Sequence, residues 1–154
     1  MKPMRKAVYA GELEEGRALL ERAPVGHIAT TDNEGRPVLR VVHAVLDGDL
    51  LAFHGAPAGE KMSALGRQAV ASAHETIAEI PSWFLDAERA CPATTYYVSA
   101  QVDGVIEEVT DPTSKARILQ KLMEKFQPEG GHAPIDPAHP SYDTLYAKAV
   151  KGLL

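Results

Sequence analysis

Residues 38–54 read VLRVVHAVLDGDLLAFH and contain the clearest folding signal in the chain. Asp47-Gly48-Asp49 is the strongest short hairpin signal, because Asp-Gly pairs favour tight turns between antiparallel strands. Val38–Leu46, before the turn, is nearly continuous in apolar residues, which predicts a strand covered on both faces. Leu50–His54, after the turn, is the returning strand. This stretch therefore predicts an antiparallel sheet.

Turn formers and alternating apolar residues continue this pattern on both sides. Asp32–Pro37 is dense in turn formers, which predicts a hairpin between a strand at Gly26–Thr31 and the strand that begins at Val38. Thr94–Gly104 alternates with period two over its whole length, the pattern of a half-buried strand. Further strands are predicted at Ala69–Ile77 and at Val105–Val109, the latter past a bulge or turn at Gly104.

Helical patterns flank the predicted strands. Glu12–Arg22 reads as a short helix that Pro24 ends, and Glu60–Arg67 has helical composition. Asp111-Pro112 starts a helix with an Asp N-cap and a first-turn proline. Its apolar stripe, opposite a lysine- and arginine-rich face, consists of Ile118, Leu119, Leu122, Met123 and Phe126. A last helix is predicted from Ser141 to Gly152.

Residues 78–93 show no clear period and read as an ordered aromatic loop. Trp83 and Phe84 lie there and could contact a ligand, a partner subunit or the core, with the core as the commonest role of such residues. Cys91 is predicted to be a small buried apolar residue.

The predicted fold class is mainly β with flanking helices (α+β). Strands joined by tight turns must be antiparallel, and a series of them in a chain of this size suggests a closed or half-closed barrel. A doubly wound parallel sheet is disfavoured because no helical crossover fits between residues 31 and 38 or between 46 and 50. We expect one domain over residues 1–154, with a helical C-terminal segment at 111–152.

Composition excludes several classes of protein. The 154 residues carry a formal charge of −5, so no basic nucleic-acid-binding face is evident. One cysteine rules out an internal disulfide and fits a reducing cytosol. No apolar run is long enough to span a membrane. We therefore expect a cytoplasmic protein that binds neither nucleic acid nor membrane.

Residues 53–63 read FHGAPAGEKMS and predict an anion site. A strand leads into a glycine-bearing loop and then a helical pattern, and backbone N–H groups at a helix start favour an anion. Gly55 and Gly59 allow close approach of the backbone, and Lys61 adds a positive charge. The spacing does not fit the Walker P-loop, since Met62 stands where Ser or Thr should be. An ordinary turn with a solvated lysine remains the alternative.

Arg40 and His43 lie inside the apolar strand 38–46. A buried arginine needs a partner, which could be a phosphate or the polar edge of a flat ring. The alternative is an arginine at a sheet edge that pairs with Glu75 or Asp103. The six histidines show no metal-ligand spacing and the single cysteine has no partner, so no metal site is predicted.

These segments together resemble one family. The motifs are Gly26-His27-Ile28-Ala29-Thr30, Arg36-Pro37 through Val45, Leu51 through Ala56, Gly59-x-Lys61-x3-Leu65, and Tyr97-x-Ser99 with Gly104. In this order, over about residues 12–126, they are similar to the pyridoxamine 5′-phosphate oxidase-like FMN-binding split β-barrels, and most similar to the nitroimidazole-resistance-like flavoproteins.

The resemblance implies a six-stranded antiparallel split β-barrel and a homodimer with FMN sites shared between the subunits. It implies that FMN is bound by Arg40, Val41, Val42, His43, Phe53, His54, Gly59 and Lys61, with Lys61 on the phosphate. His54 would face the substrate and act as the catalytic residue. Relatives usually continue into a last strand after Lys151-Gly152, which this sequence is expected to lack. It also lacks the C-terminal Arg/His segment of true pyridoxamine 5′-phosphate oxidases, so that activity is not expected.

Three functions remain open from the sequence. The first is an FMN-dependent oxidoreductase that acts on a small molecule, with nitro-compound reduction as one instance. The second is a flavin- or haem-binding protein without turnover, and the third is a barrel that has lost its cofactor. The sequence does not distinguish FMN from a deazaflavin, and it does not identify the substrate or the electron donor.

Overall fold

The computed structural model describes residues 7–55, 63–139, 142 and 150–153, and in these ranges it has two α-helices and seven strands. Helix α1 spans Leu13–Arg22 and helix α2 spans Pro112–Phe126. The strands are β1 (Gly26–Thr31), β2 (Pro37–Val42), β3 (Ala44–Asp47), β4 (Leu50–His54), β5 (Gln68–Ile80), β6 (Thr94–Glu108) and β7 (Val150–Leu153).

All described strand pairs are antiparallel, in the order β2-β1-β5-β6-β7-β4-β3. The prediction of a mainly β, antiparallel fold with flanking helices is confirmed. The sheet is open and has seven strands where six were expected. The difference arises at His43, which interrupts the predicted strand Val38–Leu46. On one side of this residue β2 pairs with β1, and on the other side β3 pairs with β4.

The β3–β4 hairpin forms as the sequence predicts. Gly48 adopts φ 65° in the turn, a left-handed conformation that glycine tolerates without strain. Side chains alternate between the two faces of this hairpin: Ala44, Leu51 and Phe53 join one buried cluster, while Val45 and Ala52 join another. Both faces of the hairpin are covered, which explains its nearly continuous apolar sequence.

Two buried clusters position α1 and α2 on the sheet, and a third lies inside the sheet. The inner cluster lies within the sheet and includes Ile28, Phe53 and Ile106. Helix α1 packs Leu19 and Leu20 against the small residues Ala73 and Ala100 of β5 and β6. Helix α2 packs Ile118, Leu119 and Leu122 against Val45 and Ala52. The apolar stripe predicted for α2 is therefore the face that covers β3 and β4.

The N-terminus of α2 confirms the predicted cap. The Asp111 carboxylate accepts a hydrogen bond from the Ser114 backbone N–H at 2.8 Å, and Pro112 follows the cap. Capping lowers the pKa of Asp111, chiefly because the Ser114 side chain and backbone donate to its carboxylate. The cap fixes where the helix begins and hence how its stripe faces the hairpin.

Several predicted local features are wrong. Gly104 pairs regularly with Ala69, and the irregularity of the β5–β6 ladder lies instead between Thr76 and Ala78. Residues 63–67 form a 3-10 turn and a bend, not part of an α-helix, and residues 60–62 lie outside the described ranges. Cys91 is exposed, not buried.

The C-terminal segment also differs from the prediction. Residues 150–153, expected to end a helix, form β7 between β4 and β6. The expectation that the chain lacks a final strand is therefore wrong. The rest of the predicted helix, apart from Tyr142, lies outside the described residues.

Candidate functional site

The break between β2 and β3 brings two histidines to one cavity. His43 is the single residue between these strands, and Ala44 pairs with Phe53 in the β3–β4 ladder. If this ladder is extended by one residue, His43 lies opposite His54. Side chains of residues directly opposite each other in an antiparallel pair lie on the same face of the sheet and are close enough to interact. Both histidines line a cavity of about 550 Å³, together with Arg40, Val41 and Val42.

Helix α2 supplies an apolar wall to the same cavity. The wall consists of Leu119, Leu122, Met123 and Phe126, with Ile135 from the following loop. The Phe126 ring stacks on the His43 ring, with centroids 4.3 Å apart and an interplanar angle of 29°. The cavity thus has an aromatic, apolar side and a basic side, which suits a planar ring system with polar edges.

Three cations of α2, spaced four residues apart, attach the helix to β3. Arg117 and Lys121 bond the Asp47 carboxylate at 2.7 and 3.0 Å. Lys125 Nζ donates to the carbonyl of Ala44 at 2.8 Å and to that of Leu20 at 3.3 Å. The basic face that the sequence places opposite the apolar stripe is therefore a second contact with the sheet.

Burial and ion pairing shift the pKa values of Asp47 and Lys125. Hydrogen bonds from Arg117 and then from Lys121 lower the pKa of Asp47, although burial of the carboxyl opposes this. Burial lowers the pKa of Lys125, which lies 5.4 Å from the centroid of the Phe126 ring. These contacts fix the end of α2 that forms the cavity wall.

Arg40 lies opposite Ile28 in the β1–β2 ladder, at the rim of the cavity. Its guanidinium Nη1 donates to the Leu39 carbonyl at 2.7 Å, and its side chain is exposed. Glu75, one of the two acids considered as a partner for Arg40, pairs with Arg22 at 2.7 Å. At this position the guanidinium cation of Arg40 can face a ligand in the cavity.

Among the other predicted site residues, Phe53 is described by the structure and does not line the cavity. Phe53 is 4% exposed and its side chain packs in the inner cluster with Ala44 and Leu51. Gly59 and Lys61 lie outside the described residues. Five of the eight residues named from the family resemblance therefore meet at one place.

Sequence reasoning missed the contribution of α2 to this cavity. The sequence predicts an apolar stripe on this helix, and the stripe packs on the core through Ile118. Phe126, at the end of the stripe, is 38% exposed and lines the cavity instead. An apolar stripe that continues past the last buried position was the available signal.

A second, larger groove of about 730 Å³ lies between α1 and the first half of β6. It contains none of the residues predicted to bind a ligand. Its lining includes Tyr9, Arg22, Tyr96 and Tyr97. We therefore take the smaller cavity as the candidate site.

The described residues contain no cluster of three or more His, Cys, Asp or Glu side chains placed to hold a metal ion. Nor does any helix in these ranges have both the length and the apolar character needed to cross a membrane.

The fold and cavity define a class of protein: a mainly β, antiparallel protein with a cavity where a strand breaks beside a helix. A family model described as pyridoxamine 5′-phosphate oxidase matches residues 12–150. The chain belongs to this family, which confirms the resemblance found in residues 12–126. A comparison with curated proteins found no match.

Solved structures share this fold at low sequence identity. The flavocytochrome Anf3 from Azotobacter vinelandii has a TM-score of 0.77 at 21% identity, over 98% of this chain and 67% of that one. The FAD and heme binding protein from Mycobacterium smegmatis has a TM-score of 0.74 at 22% identity, and the match covers 94% of this chain and 66% of that one. A candidate 5-nitroimidazole antibiotic resistance protein from Bacteroides thetaiotaomicron has a TM-score of 0.67 at 16% identity, and the match covers 94% of this chain and 80% of that one. The chain thus spans about two thirds of the first two structures.

Proposed function

We propose that this chain binds a flavin, specifically FMN, in the cavity between the end of β2, His54 and the wall of α2. The observation that carries the proposal is the meeting of Arg40, Val41, Val42, His43 and His54 at that cavity. Membership of the pyridoxamine 5′-phosphate oxidase family supports it. The similar structures of a flavocytochrome and of an FAD and heme binding protein support a flavin as the ligand.

The residues around the cavity fit an isoalloxazine ring. Its apolar benzenoid edge matches the wall of Leu122, Met123 and Phe126, and its polar pyrimidine edge matches donors on Arg40 and His54. Lys61 is proposed to hold the phosphate, together with backbone N–H groups of the loop that contains Gly59. We prefer FMN to riboflavin as the ligand because FMN carries a phosphate for Lys61 to hold, whereas riboflavin has none.

We further propose that the protein is an oxidoreductase that acts on a small molecule, such as a nitro compound. Bound FMN would supply two-electron transfer. The protein would orient the ring with Arg40 and the β2 backbone, and α2 would exclude water from one side. His54 is the proposed catalytic residue, since its imidazole can give or accept a proton near neutral pH.

The active form is proposed to be a cytoplasmic homodimer with each site shared between subunits. A six-stranded split barrel is the proposed arrangement of the sheet. It is supported by β2 and β3, the two ends of the described sheet, which only His43 separates in the chain. Counted as one bent strand, they reduce the seven strands to six.

An absorption spectrum of the purified protein, with mass spectrometry of the released ligand, tests the flavin proposal. We expect the visible bands of a flavin and the mass of FMN. A colourless protein that takes up no added FMN would overturn the proposal, and a deazaflavin mass would correct the cofactor.

Anaerobic NADH or NADPH should bleach the bands and a nitro compound should restore them. Flavin bands that neither NADH nor NADPH bleaches would contradict the proposal that the protein is an oxidoreductase.

A flavin- or haem-binding protein without turnover is the second candidate. The observation in its favour is the pair His43 and His54 on a cavity with apolar walls, since imidazole is a common haem ligand. Titration with haem distinguishes the two candidates. A Soret band that the double variant His43→Ala/His54→Ala lacks would favour haem, whereas a flavin spectrum with no haem uptake favours FMN.

A further inference from the structure

The turn between β1 and β2 is built around one buried carboxylate. Asp32 is 6% exposed, and its carboxylate accepts hydrogen bonds from the backbone N–H groups of Glu34 at 2.9 Å and of Arg36 at 2.8 Å. The Arg36 guanidinium Nε donates to the same carboxylate at 2.7 Å. Aspartate holds turns in this way, by accepting from the backbone two residues further on. The turn is therefore a well-bonded anchor for other parts of the chain.

Arg67 attaches a distant segment to this turn. Its Nη1 donates to the backbone carbonyl of Asp32 at 2.6 Å, and its Nη2 donates to the side-chain oxygen of Asn33 at 2.7 Å. The bonded residues are 35 and 34 positions apart in the sequence. Hydrogen bonds from a guanidinium are charge-assisted, and its planar fork holds two acceptors in a fixed geometry. Arg67 thus sets where its own segment lies relative to β1 and β2.

Backbone contacts hold the same segment against β6. The Gly66 N–H donates to the carbonyl of Ile106 at 2.8 Å, and the Ile106 N–H donates to the carbonyl of Arg67 at 3.1 Å. Ala64 is 2% exposed and belongs to the inner cluster. We call residues 63–67 the clamped segment, because the core, β6 and the β1–β2 turn all hold it.

The clamped segment follows directly after the residues proposed to hold the phosphate. Ser63, its first residue, comes two positions after Lys61. An extended chain advances by at most about 3.6 Å per residue, so the Cα atoms of Lys61 and Ser63 are within about 7 Å of each other. The clamped segment therefore limits where the ammonium group of Lys61 can be placed.

We infer that Arg67 is a positioning residue for the phosphate end of the proposed FMN site. Both terminal nitrogens of its guanidinium donate to the β1–β2 turn, so Arg67 acts by holding the clamped segment and not by binding the ligand. The same turn leads into β2, whose end carries Arg40 and Val42 at the cavity. The clamp thus links the residues proposed for the flavin ring to those proposed for the phosphate. The inference rests on the proposed function.

The relative affinity for FMN and riboflavin tests this role, because only FMN carries a phosphate. Groups that orient a ligand contact are worth about tenfold or more in affinity at metal sites, and we expect Arg67→Met to lower the affinity for FMN about tenfold. The affinity for riboflavin should not change, since β2 still pairs with β1 along its whole length. Flavin fluorescence titration below the melting temperature of each variant measures both. A merely structural role would weaken the two flavins equally or neither.

Two neighbouring exposed residues of the turn provide a milder, matched pair of variants. Asn33→Ala removes one of the two bonds that Arg67 makes, whereas Glu34→Ala removes a bond within the turn, from Arg36 at 2.8 Å. We expect Asn33→Ala to lower the affinity for FMN about threefold, as for the loss of one hydrogen bond. Glu34→Ala should leave this affinity unchanged. Equal effects of the two substitutions would contradict the clamp.

A double variant tests whether Arg67 acts through Lys61. In Lys61→Ala/Arg67→Met, the loss in affinity for FMN should be smaller than the product of the two single losses, because residues that act as a unit are not additive. A loss equal to the product would show that Arg67 acts independently of Lys61 and would overturn the inference.

Failure of this inference is distinguishable from failure of the proposed function. If the wild type prefers FMN to riboflavin and Arg67→Met keeps the full preference, the inference is wrong and the flavin site stands. The same holds if Arg67→Met weakens both flavins equally. A wild-type protein that binds neither flavin would overturn the proposed function together with the inference.

Discussion

Asp47 is the residue on which the attachment of α2 depends. It lies at the end of β3 with its side chain 11% exposed, and it accepts hydrogen bonds from both Arg117 and Lys121. Asp47→Asn keeps the shape but removes the charge that both cations face. We expect it to lower the free energy of unfolding at neutral pH by about 1–3 kcal/mol. Urea denaturation measures this directly.

The matched control lies two residues away in the same turn. Asp49 pairs with Arg17 at 2.9 Å, but its side chain is 99% exposed. Water screens such a pair, so Asp49→Asn should change the free energy of unfolding by less than about 1 kcal/mol. Equal effects of the two substitutions would contradict the role given to Asp47.

The contribution of Asp47 should also depend on pH. Its pKa is lowered in the folded state from an ordinary value of 3.8, chiefly by the hydrogen bond from Arg117. The stabilisation is therefore fully present above the unfolded value and is lost as the pH falls through the folded one. We expect the stability difference between wild type and Asp47→Asn to stay constant from pH 7 to near the unfolded pKa of 3.8 and to shrink as the pH falls below it. A difference that also stays constant below this pH would show that the charge is not involved.

Local signals and long-range pairing explain which elements the sequence could predict. The β3–β4 hairpin was predictable because its turn and its alternation are encoded within a few residues. The break at His43 was not, since it arises from pairing with β1 on one side and β4 on the other. β7 was missed because Val150–Leu153 becomes a strand only through contacts with β4 and β6, distant in sequence.

The candidate site follows the same division. The family resemblance, carried by motifs at residues 36–45 and 51–56, implied the end of β2 and His54, and the structure brings them to one cavity. The wall from α2 is about 80 residues further along the chain, and only packing places it there. Phe53 shows the limit of a motif: it is adjacent to His54, but strand alternation directs its side chain into the core.

Helix α2 should serve stability and ligand binding through different side chains. Ile118 is fully buried against the sheet and does not line the cavity, whereas Met123 lines the cavity and is half-buried. Ile118→Ala should cost about 2–5 kcal/mol of stability and leave FMN affinity unchanged in the folded protein. Met123→Ala should weaken FMN binding with a smaller loss of stability. Thermal denaturation and flavin fluorescence titration separate the two, and a reversed pattern would refute the assignment of the wall.

For the molecule as a whole, binding of FMN and folding must be linked, because a ligand that binds only the folded state stabilises it. At 100 times its dissociation constant, FMN should add about 2.7 kcal/mol to the free energy of unfolding. For a chain of this length that is roughly 5–11 °C in melting temperature. The shift should be smaller with riboflavin, which has the same ring and no phosphate.

Lys61→Ala decides whether this lysine is the phosphate group's partner. If Lys61 holds the phosphate, the variant should lose most of the difference between the melting-temperature shifts caused by FMN and by riboflavin, because the charged contact to the phosphate is lost and only backbone N–H groups remain. The ring would still bind to the cavity of Arg40, His43 and His54, so the riboflavin shift should match that of the wild type. A variant that keeps the full preference for FMN would place the phosphate elsewhere and leave Arg40, at the rim of the cavity, as the cation to test next.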